Sequence, residues 1–240
     1  MKNYYQKKYS VQDTDIDYSY TVPITNLMRV MQETAFVHAD NLGMSHQDMI
    51  DHSGAFWVIT KMKVKLLKPL IQFDKFKVLT WIQPASGVRV ERDFNVTRGR
   101  ELIAEACAEW CCLDWVTRKL RKMSTIQYPV VEHAKARPDI AYTPVRERFT
   151  DKDLCYTRVV RSTDIDVNKH TNNLRYNFFA IDAFSVEELE NLHIKEYEIQ
   201  FVNESKEGDE IKIYKKQIEN NIIVEGQTDG KTVFRSIFTI

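Results

Sequence analysis

Side chains able to move protons or hold charge are concentrated in one stretch of the sequence, residues 163–176. Within it Asp166, Asn168 and His170 alternate along the chain. An extended backbone points alternate side chains in one direction, so the spacing predicts that these three groups face the same space. Because a histidine can exchange protons near neutral pH, the set could do acid–base chemistry.

The residues that follow have the periodicity of a helix. Steps of four, three and three residues separate the apolar side chains, which predicts one buried helix face made by Leu174, Phe178, Ile181 and Phe184. Thr171 or Asn172 is the candidate N-cap, because either side-chain oxygen can accept a hydrogen bond from an unpaired helical N–H.

Composition excludes several classes of protein. Lys and Arg number 34 and Asp and Glu number 34, so the net charge favours neither nucleic-acid binding nor disorder. The four cysteines form no Cys-x-x-Cys pair, and no cluster has metal-ligand spacing, so we expect neither a metal nor a cofactor. No signal peptide and no apolar run of about 20 residues occurs, which predicts a cytoplasmic protein without stable membrane association.

The order of elements predicts an α+β fold that repeats once. Each half is interpreted as a strand, a long helix, a short helix and four strands, with residues 9–20 extended at the start of the first half. Prolines in a polar stretch without periodicity predict a linker. The predicted division is an N-terminal domain at residues 1–124, a linker at 125–150 and a C-terminal domain at 151–240. The remaining predicted strands are residues 55–67, 74–84, 88–97, 101–114, 154–160, 194–201, 210–219, 222–229 and 231–240.

An internal duplication explains this repeated order. The letters Thr-Asp-Ile-Asp occur at residues 14–17 and again at residues 163–166. An ungapped comparison places Ser19 and Thr21 where the second half has Asn168 and His170, so only the second half can hold a site built on those two residues. An antiparallel sheet wrapped round a helix satisfies the burial demands of each half, and two such units could pack as a pseudo-dimer.

The stretch at residues 166–176 resembles the Asp-Val-Asn-x-His-x-Asn-Asn-x-x-Tyr signature of the acyl-acyl-carrier-protein (acyl-ACP) thioesterases of plants and bacteria. Residues 32–35, 57–62 and 117–120 are similar to further motifs of that family, and the resemblance extends from about Tyr9 to the C-terminus. It implies two tandem hot-dog domains, each a long central helix wrapped by an antiparallel sheet, forming an intrachain pseudo-dimer. The second domain would carry the catalytic motif, and the lack of a plastid transit peptide suits a bacterial enzyme.

The resemblance implies hydrolysis of the thioester of fatty acyl-ACP, which releases free fatty acid in fatty acid biosynthesis. It adds Glu204 to the catalytic set of Asp166, Asn168 and His170. Plant members carry a cysteine directly after that glutamate, whereas this chain has Ser205, so a compulsory cysteine nucleophile is excluded there. Either Glu204 with His170 activates water, which we favour, or Asp166 acts as base or nucleophile.

Binding surfaces are also implied by the resemblance. The acyl chain would lie in the first domain, where the candidate lining residues are Met28, Met31, Phe36, Phe56 and Val58. An acidic acyl carrier protein would meet a basic surface drawn from Arg89, Arg92, Arg118, Lys119, Arg121 and Lys122. The other histidines, which include His38 and His133, are interpreted as surface or structural residues. The chain would act as a monomer with an internal pseudo-dimer or as a homodimer.

Three alternative functions remain open at this point. The substrate could be an acyl-CoA thioester, or the protein could be a hot-dog hydratase or dehydratase acting on acyl chains without cleaving the thioester. The arrangement of Asn168, His170, Asn172 and Asn173 argues against the hydratase. A non-catalytic acyl-binding or regulatory module is the third alternative, and the retention of all four catalytic residues argues against it.

Overall fold

The computed structural model describes residues 3–131 and 135–240, so the prediction for His133 lies outside the described residues. Tertiary contacts divide the chain into two compact units, Met1–Ile140 and Ala141–Ile240. This division falls inside the stretch that the sequence predicts as a linker. Among the described residues, each unit contains one antiparallel sheet, one longer α-helix and one short α-helix.

The N-terminal unit is built from five strands and two helices. The strands are β1 (Tyr4–Ser10), β2 (Ala55–Leu66), β3 (Lys75–Ile82), β4 (Arg89–Arg98) and β5 (Glu101–Asp114), and the helices are α1 (Ile24–Asn41) and α2 (His46–Ser53). All neighbouring strands are antiparallel, in the order β1-β3-β4-β5-β2. Helix α1 packs against β1 and β3.

The C-terminal unit repeats this scheme. Its strands are β6 (Leu154–Val159), β7 (Glu196–Phe201), β8 (Glu210–Ile218), β9 (Asn221–Thr228) and β10 (Lys231–Thr239), and its helices are α3 (Asn173–Ile181) and α4 (Val186–Asn191). The order is β6-β8-β9-β10-β7, again antiparallel. In both units the first strand pairs with the third, and the fifth pairs with the second. The α+β class and the repeated element order are therefore confirmed.

Helix α1 forms the apolar centre of the N-terminal unit. Met28 and Met31 are fully buried on the face that meets the sheet. Pro23 occupies the N-cap position, where its fixed φ suits the entry into the helix. The helix ends before Gly43, whose φ of 68° is the left-handed conformation that glycine adopts most readily.

Helix α3 buries a different face from the one that the apolar periodicity predicts. Its buried residues are Tyr176, Asn177, Phe179 and Ala180, whereas Phe178 is 39% exposed. The physical reason is a polar anchor, because the hydroxyl of Tyr197 on β7 donates to Oδ1 of Asn177 at 2.9 Å. This fully buried hydrogen bond draws Asn177 toward the sheet and turns Phe178 outward.

The first strand is the other place where the observed fold differs from the expected one. It covers Tyr4–Ser10, and the rest of the stretch predicted as extended contains a 3-10 helix at Asp13–Asp15 and a tight turn. Aspartates that accept hydrogen bonds from nearby backbone N–H groups favour such turns over strands. The other strands begin and end within about two residues of their predicted bounds.

Candidate active site

His170 lies in a tight turn that links β6 to helix α3. The alternation of Asp166, Asn168 and His170 predicts an extended segment, and this prediction is wrong. The carboxylate of Asp166 accepts from the backbone N–H of Asn168 at 2.8 Å and of His170 at 3.4 Å, and its own N–H donates to His170 O at 2.9 Å. Lys169 adopts a φ of 62°, which closes the turn. Asp166 therefore holds the backbone around His170.

Glu204 lies in a second turn, just after β7 ends at Phe201. Its Oε2 is 3.3 Å from Nε2 of His170. The Glu204 side chain is 51% exposed and that of His170 is 20% exposed, so water can reach the pair. Catalytic hydrogen bonds are often this long before substrate binds, so the separation is compatible with proton transfer between imidazole, carboxylate and a water molecule.

Backbone and side-chain bonds fix the two turns against each other. The N–H of Thr171, the residue after His170, donates to the carbonyl of Ser205, the residue after Glu204, at 2.9 Å. Ser205 is completely buried, so its hydroxyl cannot meet a substrate. The side-chain oxygen of Asn172 accepts from Leu174 N at 2.9 Å, which makes Asn172 the N-cap of α3.

A buried carboxylate anchors the start of the His170 turn. Asp164 is 1% exposed, and both of its oxygens lie 3.1 Å from Nη2 of Arg158 on β6. Nε of Arg175 on α3 is 3.5 Å from the same carboxylate, and Asp164 O accepts from Asn172 N at 2.8 Å. Asp164 thus joins β6, the turn and the helix, although sequence reasoning gave it no role beyond its place in the repeated letters.

The N-terminal unit contains a matching turn that lacks the candidate catalytic side chains. Asp17 accepts from Ser19 N at 2.9 Å, and Asp17 N donates to Thr21 O at 3.0 Å. Tyr20 has a φ of 58°, close to the 62° of Lys169. These bonds match those of the His170 turn, and they align Ser19 with Asn168 and Thr21 with its histidine, as the ungapped comparison predicts.

The second turn of the site also has its counterpart. Val22 N donates to Leu70 O at 2.9 Å, as Thr171 N donates to Ser205 O. Leu70 therefore corresponds to Ser205, and Pro69 occupies the place of Glu204. The N-terminal copy therefore lacks all three groups: the amide of Asn168, the imidazole of His170 and the carboxylate of Glu204.

The residues predicted to line an acyl pocket have different exposures. Met28, Met31 and Phe56 are buried within the N-terminal unit, and Val58 is half-buried. Phe36 differs, because it is 59% exposed and packs edge-on against Trp110 with ring centroids 6.3 Å apart.

The prediction that Arg92 belongs to the carrier-protein surface is wrong. Arg92 is only 6% exposed, and its Nη1 lies 2.9 Å from Nδ1 of the buried His38 and 3.3 Å from Oγ1 of Thr80. The strand alternation turns Arg92 toward helix α1, where an acidic partner cannot reach it. His38 is therefore structural, as expected. The other five basic residues of the prediction reach solvent at least in part. Arg89, Arg118, Lys119 and Lys122 are exposed, and Arg121 is half-buried, with its Nη1 3.1 Å from Oδ2 of Asp114.

Among residues 3–131 and 135–240, no group of three or more His, Cys, Asp or Glu side chains could hold a metal ion. Over the same described ranges, no helix has the length and apolar character needed to cross a membrane.

Comparison with known proteins identifies the same two units. The family model for the acyl-ACP thioesterase N-terminal domain matches residues 2–127, and that for the C-terminal domain matches residues 148–233. A chloroplastic acyl-[acyl-carrier-protein] hydrolase of Cuphea viscosissima is 23% identical over 78% of this chain and 48% of its own length. A chloroplastic palmitoyl-acyl carrier protein thioesterase of Arabidopsis thaliana is 24% identical over 83% of this chain and 52% of its own. The chain thus spans about half the length of these curated relatives.

Solved structures share the fold over the whole chain. A crystal structure of an acyl-ACP thioesterase from Bacteroides thetaiotaomicron has a TM-score of 0.88 at 24% identity, covering 99% of this chain and 97% of that one. The 12:0-ACP thioesterase of Umbellularia californica has a TM-score of 0.86 at 17% identity, covering 100% and 97%. These likenesses confirm the tandem hot-dog fold. Because the two family models together match most of its length, the chain belongs to the acyl-ACP thioesterase family.

Proposed function

We propose that the protein hydrolyses the thioester of fatty acyl-ACP and releases free fatty acid, within fatty acid biosynthesis in the cytoplasm. The observation that carries this proposal is the contact of 3.3 Å between His170 Nε2 and Glu204 Oε2, in the unit that matches the C-terminal domain of the family. A thioester carbonyl is a good electrophile, so a water molecule activated by this pair is a sufficient nucleophile.

The proposed reaction begins with a water molecule held by the imidazole and the carboxylate. Glu204 or His170 takes a proton as the water oxygen attacks the carbonyl carbon. A proton taken by Glu204 moves on to His170, which then protonates the sulfur as the C–S bond breaks. The products are a fatty acid and the thiol of the carrier protein. Histidine suits the second step because it can both accept and donate a proton near neutral pH.

The contacts of Asp166 favour Glu204 as the partner of His170. The Asp166 carboxylate is engaged by two backbone N–H groups of its own turn, whereas that of Glu204 lies beside the imidazole. We therefore assign the holding of the turn to Asp166 and the orientation or deprotonation of water to Glu204. Asn168 could polarise the carbonyl through its amide. The N–H of Asn173, the first residue of α3, could bind the developing oxyanion, since helix N-termini favour negative charge. The next two N–H groups of the helix already donate to Asn172.

The N-terminal unit would hold the acyl chain in this proposal. Buried Met28, Met31 and Phe56, together with Val58, supply an apolar lining, and Phe36 would contribute only at the surface. We infer that the carrier protein meets exposed Arg89, Arg118 and Lys119, whose charge would steer an acidic partner. We propose that residues 1–124 form the acyl-binding domain and residues 151–240 the catalytic domain, with the linker between them.

A thiol-release assay tests the proposal and its nearest rivals. Purified protein is mixed with acyl-ACP thioesters of several chain lengths and, separately, with acyl-CoA thioesters. The proposal predicts free carrier thiol and free fatty acid in equal amounts, and kcat/KM higher for acyl-ACP than for acyl-CoA. Absence of thiol release at every chain length would refute it, and an enoyl or hydroxyacyl product would indicate a hydratase.

Two variants separate the candidate bases. Glu204→Gln should lower kcat by about 10²-fold or more, because general-base catalysis contributes roughly 10²–10⁴-fold. Asp166→Asn keeps an oxygen that can accept the turn's hydrogen bonds, so it should lower kcat less than Glu204→Gln does. Full activity in Glu204→Gln would move the base role to Asp166.

A further inference from the structure

Three hydroxyl groups form a buried chain directly beneath the proposed catalytic pair. Oγ1 of Thr171 lies 2.7 Å from Oγ of Ser205, and that oxygen lies 2.9 Å from the hydroxyl of Tyr176 on α3. Thr171 follows His170 in the sequence and Ser205 follows Glu204. The chain of hydroxyls therefore links the His170 turn, the Glu204 turn and the helix at the positions next to the reacting groups.

The surroundings of these hydroxyls make their mutual bonds strong. Thr171 is 4% exposed, Ser205 0% and Tyr176 2%. Two further bonds close the network, from Thr171 Oγ1 to Ser205 O at 3.2 Å and from Ser205 N to the Tyr176 hydroxyl at 3.2 Å. Burial raises the pKa of Tyr176 above its ordinary value of 10.0, so its O–H stays protonated. A fully bonded polar network in a low-dielectric interior rigidifies the groups that it joins.

The degenerate copy in the N-terminal unit provides an internal control. Val22 and Leu70 stand there in the positions of Thr171 and Ser205, and neither carries a hydroxyl. The backbone bond between them is nevertheless formed at 2.9 Å, and the preceding turn repeats two bonds of the His170 turn, from Ser19 N to the Asp17 carboxylate and from Asp17 N to Thr21 O. Folding of these turns therefore does not require the hydroxyls. They occur in the copy that also has the histidine and the glutamate.

We propose that Thr171, Ser205 and Tyr176 are positioning residues that hold His170 and Glu204 at the separation needed for catalysis. This inference rests on the proposed thioester hydrolysis. The Glu204 side chain is half exposed and its Oε2 lies 3.3 Å from Nε2 of His170, so the position of its backbone decides whether the two groups meet. The buried network fixes that backbone through the adjacent residue, Ser205. A displacement of about 1 Å can cost roughly 10²-fold in rate, so the anchor would affect turnover strongly.

Near-isosteric variants test the network in the full-length protein. Ser205→Ala, Thr171→Val and Tyr176→Phe each remove one hydroxyl. We expect each to lower kcat by about 10- to 100-fold, with KM changed less than about twofold, because the geometry of the reacting groups changes and the binding surfaces do not. Ser205→Thr keeps a hydroxyl and should recover part of the loss.

A matched control comes from a second buried hydroxyl pair in the same unit. The hydroxyl of Tyr197 lies 3.1 Å from Oγ of Ser236, and both residues are fully buried. Ser236→Ala removes one hydroxyl of this pair, leaves the bond from Tyr197 to Asn177 on α3 in place, and should therefore keep the wild-type kcat. An equal loss of kcat in this control and in the network variants would overturn the proposal, since the effect would then come from general destabilisation.

A double-mutant cycle separates positioning from a purely structural effect. If the network acts through the pair, Ser205→Ala should change kcat less than about threefold once Glu204→Gln is present. Fully additive losses would overturn the proposal. Crystal structures of Ser205→Ala and Ser236→Ala give an independent readout, because the distance from His170 Nε2 to Glu204 Oε2 should lengthen only in the first. An unchanged distance would refute the positioning role. Inactivity of the wild type on every thioester would refute the proposed function instead.

Discussion

The contribution of one buried carboxyl group to the stability of the protein should fall as pH rises from about 4 to 6. Asp93 on β4 is fully buried. Its Oδ2 accepts from Nε2 of Gln83 at 2.6 Å, and Nε of Arg137 lies 4.0 Å from Oδ1. Burial raises the pKa of Asp93 from 3.8 to about 6, and the hydrogen bond from Gln83 and the charge of Arg137 only partly oppose this rise.

The size and sign of the effect follow from these two pKa values. A rise from 3.8 to about 6 corresponds to roughly 3 kcal/mol, at 1.36 kcal/mol for each pKa unit. Between these values folded Asp93 holds a proton that the unfolded chain has lost, so the free energy of unfolding decreases as pH increases. Below the lower pKa Asp93 is protonated in both the folded and the unfolded state, so it contributes no pH dependence. Above the higher pKa it is ionised in both states, and the full destabilisation is present.

Asp93→Asn removes this titration and keeps the shape of the side chain. Urea unfolding of wild type and variant at pH values from 4 to 8 gives the difference between their free energies of unfolding, in which the other titrating groups largely cancel. This difference should move in favour of the variant by about 2–3 kcal/mol between pH 4 and pH 7. Gln83→Met should shift the change to higher pH, because it removes a bond that lowers the pKa. A difference independent of pH would refute the reasoning.

Three further predictions concern single side chains. Asn168→Ala should lower kcat by about 10²-fold in the thiol-release assay and leave urea unfolding unchanged, since its side chain is exposed. Gly226→Ala should lower the free energy of unfolding by roughly 1–3 kcal/mol, because the added Cβ would lie 2.2 Å from the ring of Phe234; an unchanged value would refute this packing argument. Arg118→Glu should weaken carrier-protein binding in a titration whereas Arg92→Met should not, and equal weakening would contradict the burial of Arg92.

Most of the fold could be predicted from the sequence, because local patterns determine the strands and their turns. The bounds of β5 match the predicted residues 101–114. The repeated Thr-Asp-Ile-Asp letters predict an internal duplication, and in both copies the N–H of the second aspartate donates to the carbonyl four residues further on. In these cases the signal lies within a few neighbouring residues, where propensity and periodicity operate.

The remaining features depend on partners that are distant in the sequence. Apolar spacing predicts Phe178 as buried, but the hydroxyl of Tyr197 draws Asn177 inward instead. The residue type of Arg92 predicts a charged side chain at the surface, but the strand register places this side chain against His38. Tyr176 belongs to the signature at residues 166–176, so the sequence indicates that it matters for function. Its hydrogen bond to Ser205 was not predictable, because nothing local pairs these two residues.

The central claim is that the pair formed by His170 and Glu204 drives thioester hydrolysis. Its most direct test is the initial rate of thiol release from acyl-ACP, measured under the same conditions for wild type, His170→Ala and Glu204→Gln. The account predicts rapid release by the wild type and losses of about 10²-fold or more in both variants, with circular dichroism and urea unfolding unchanged. Wild-type rates in either variant, or no thiol release by the wild type, would contradict it.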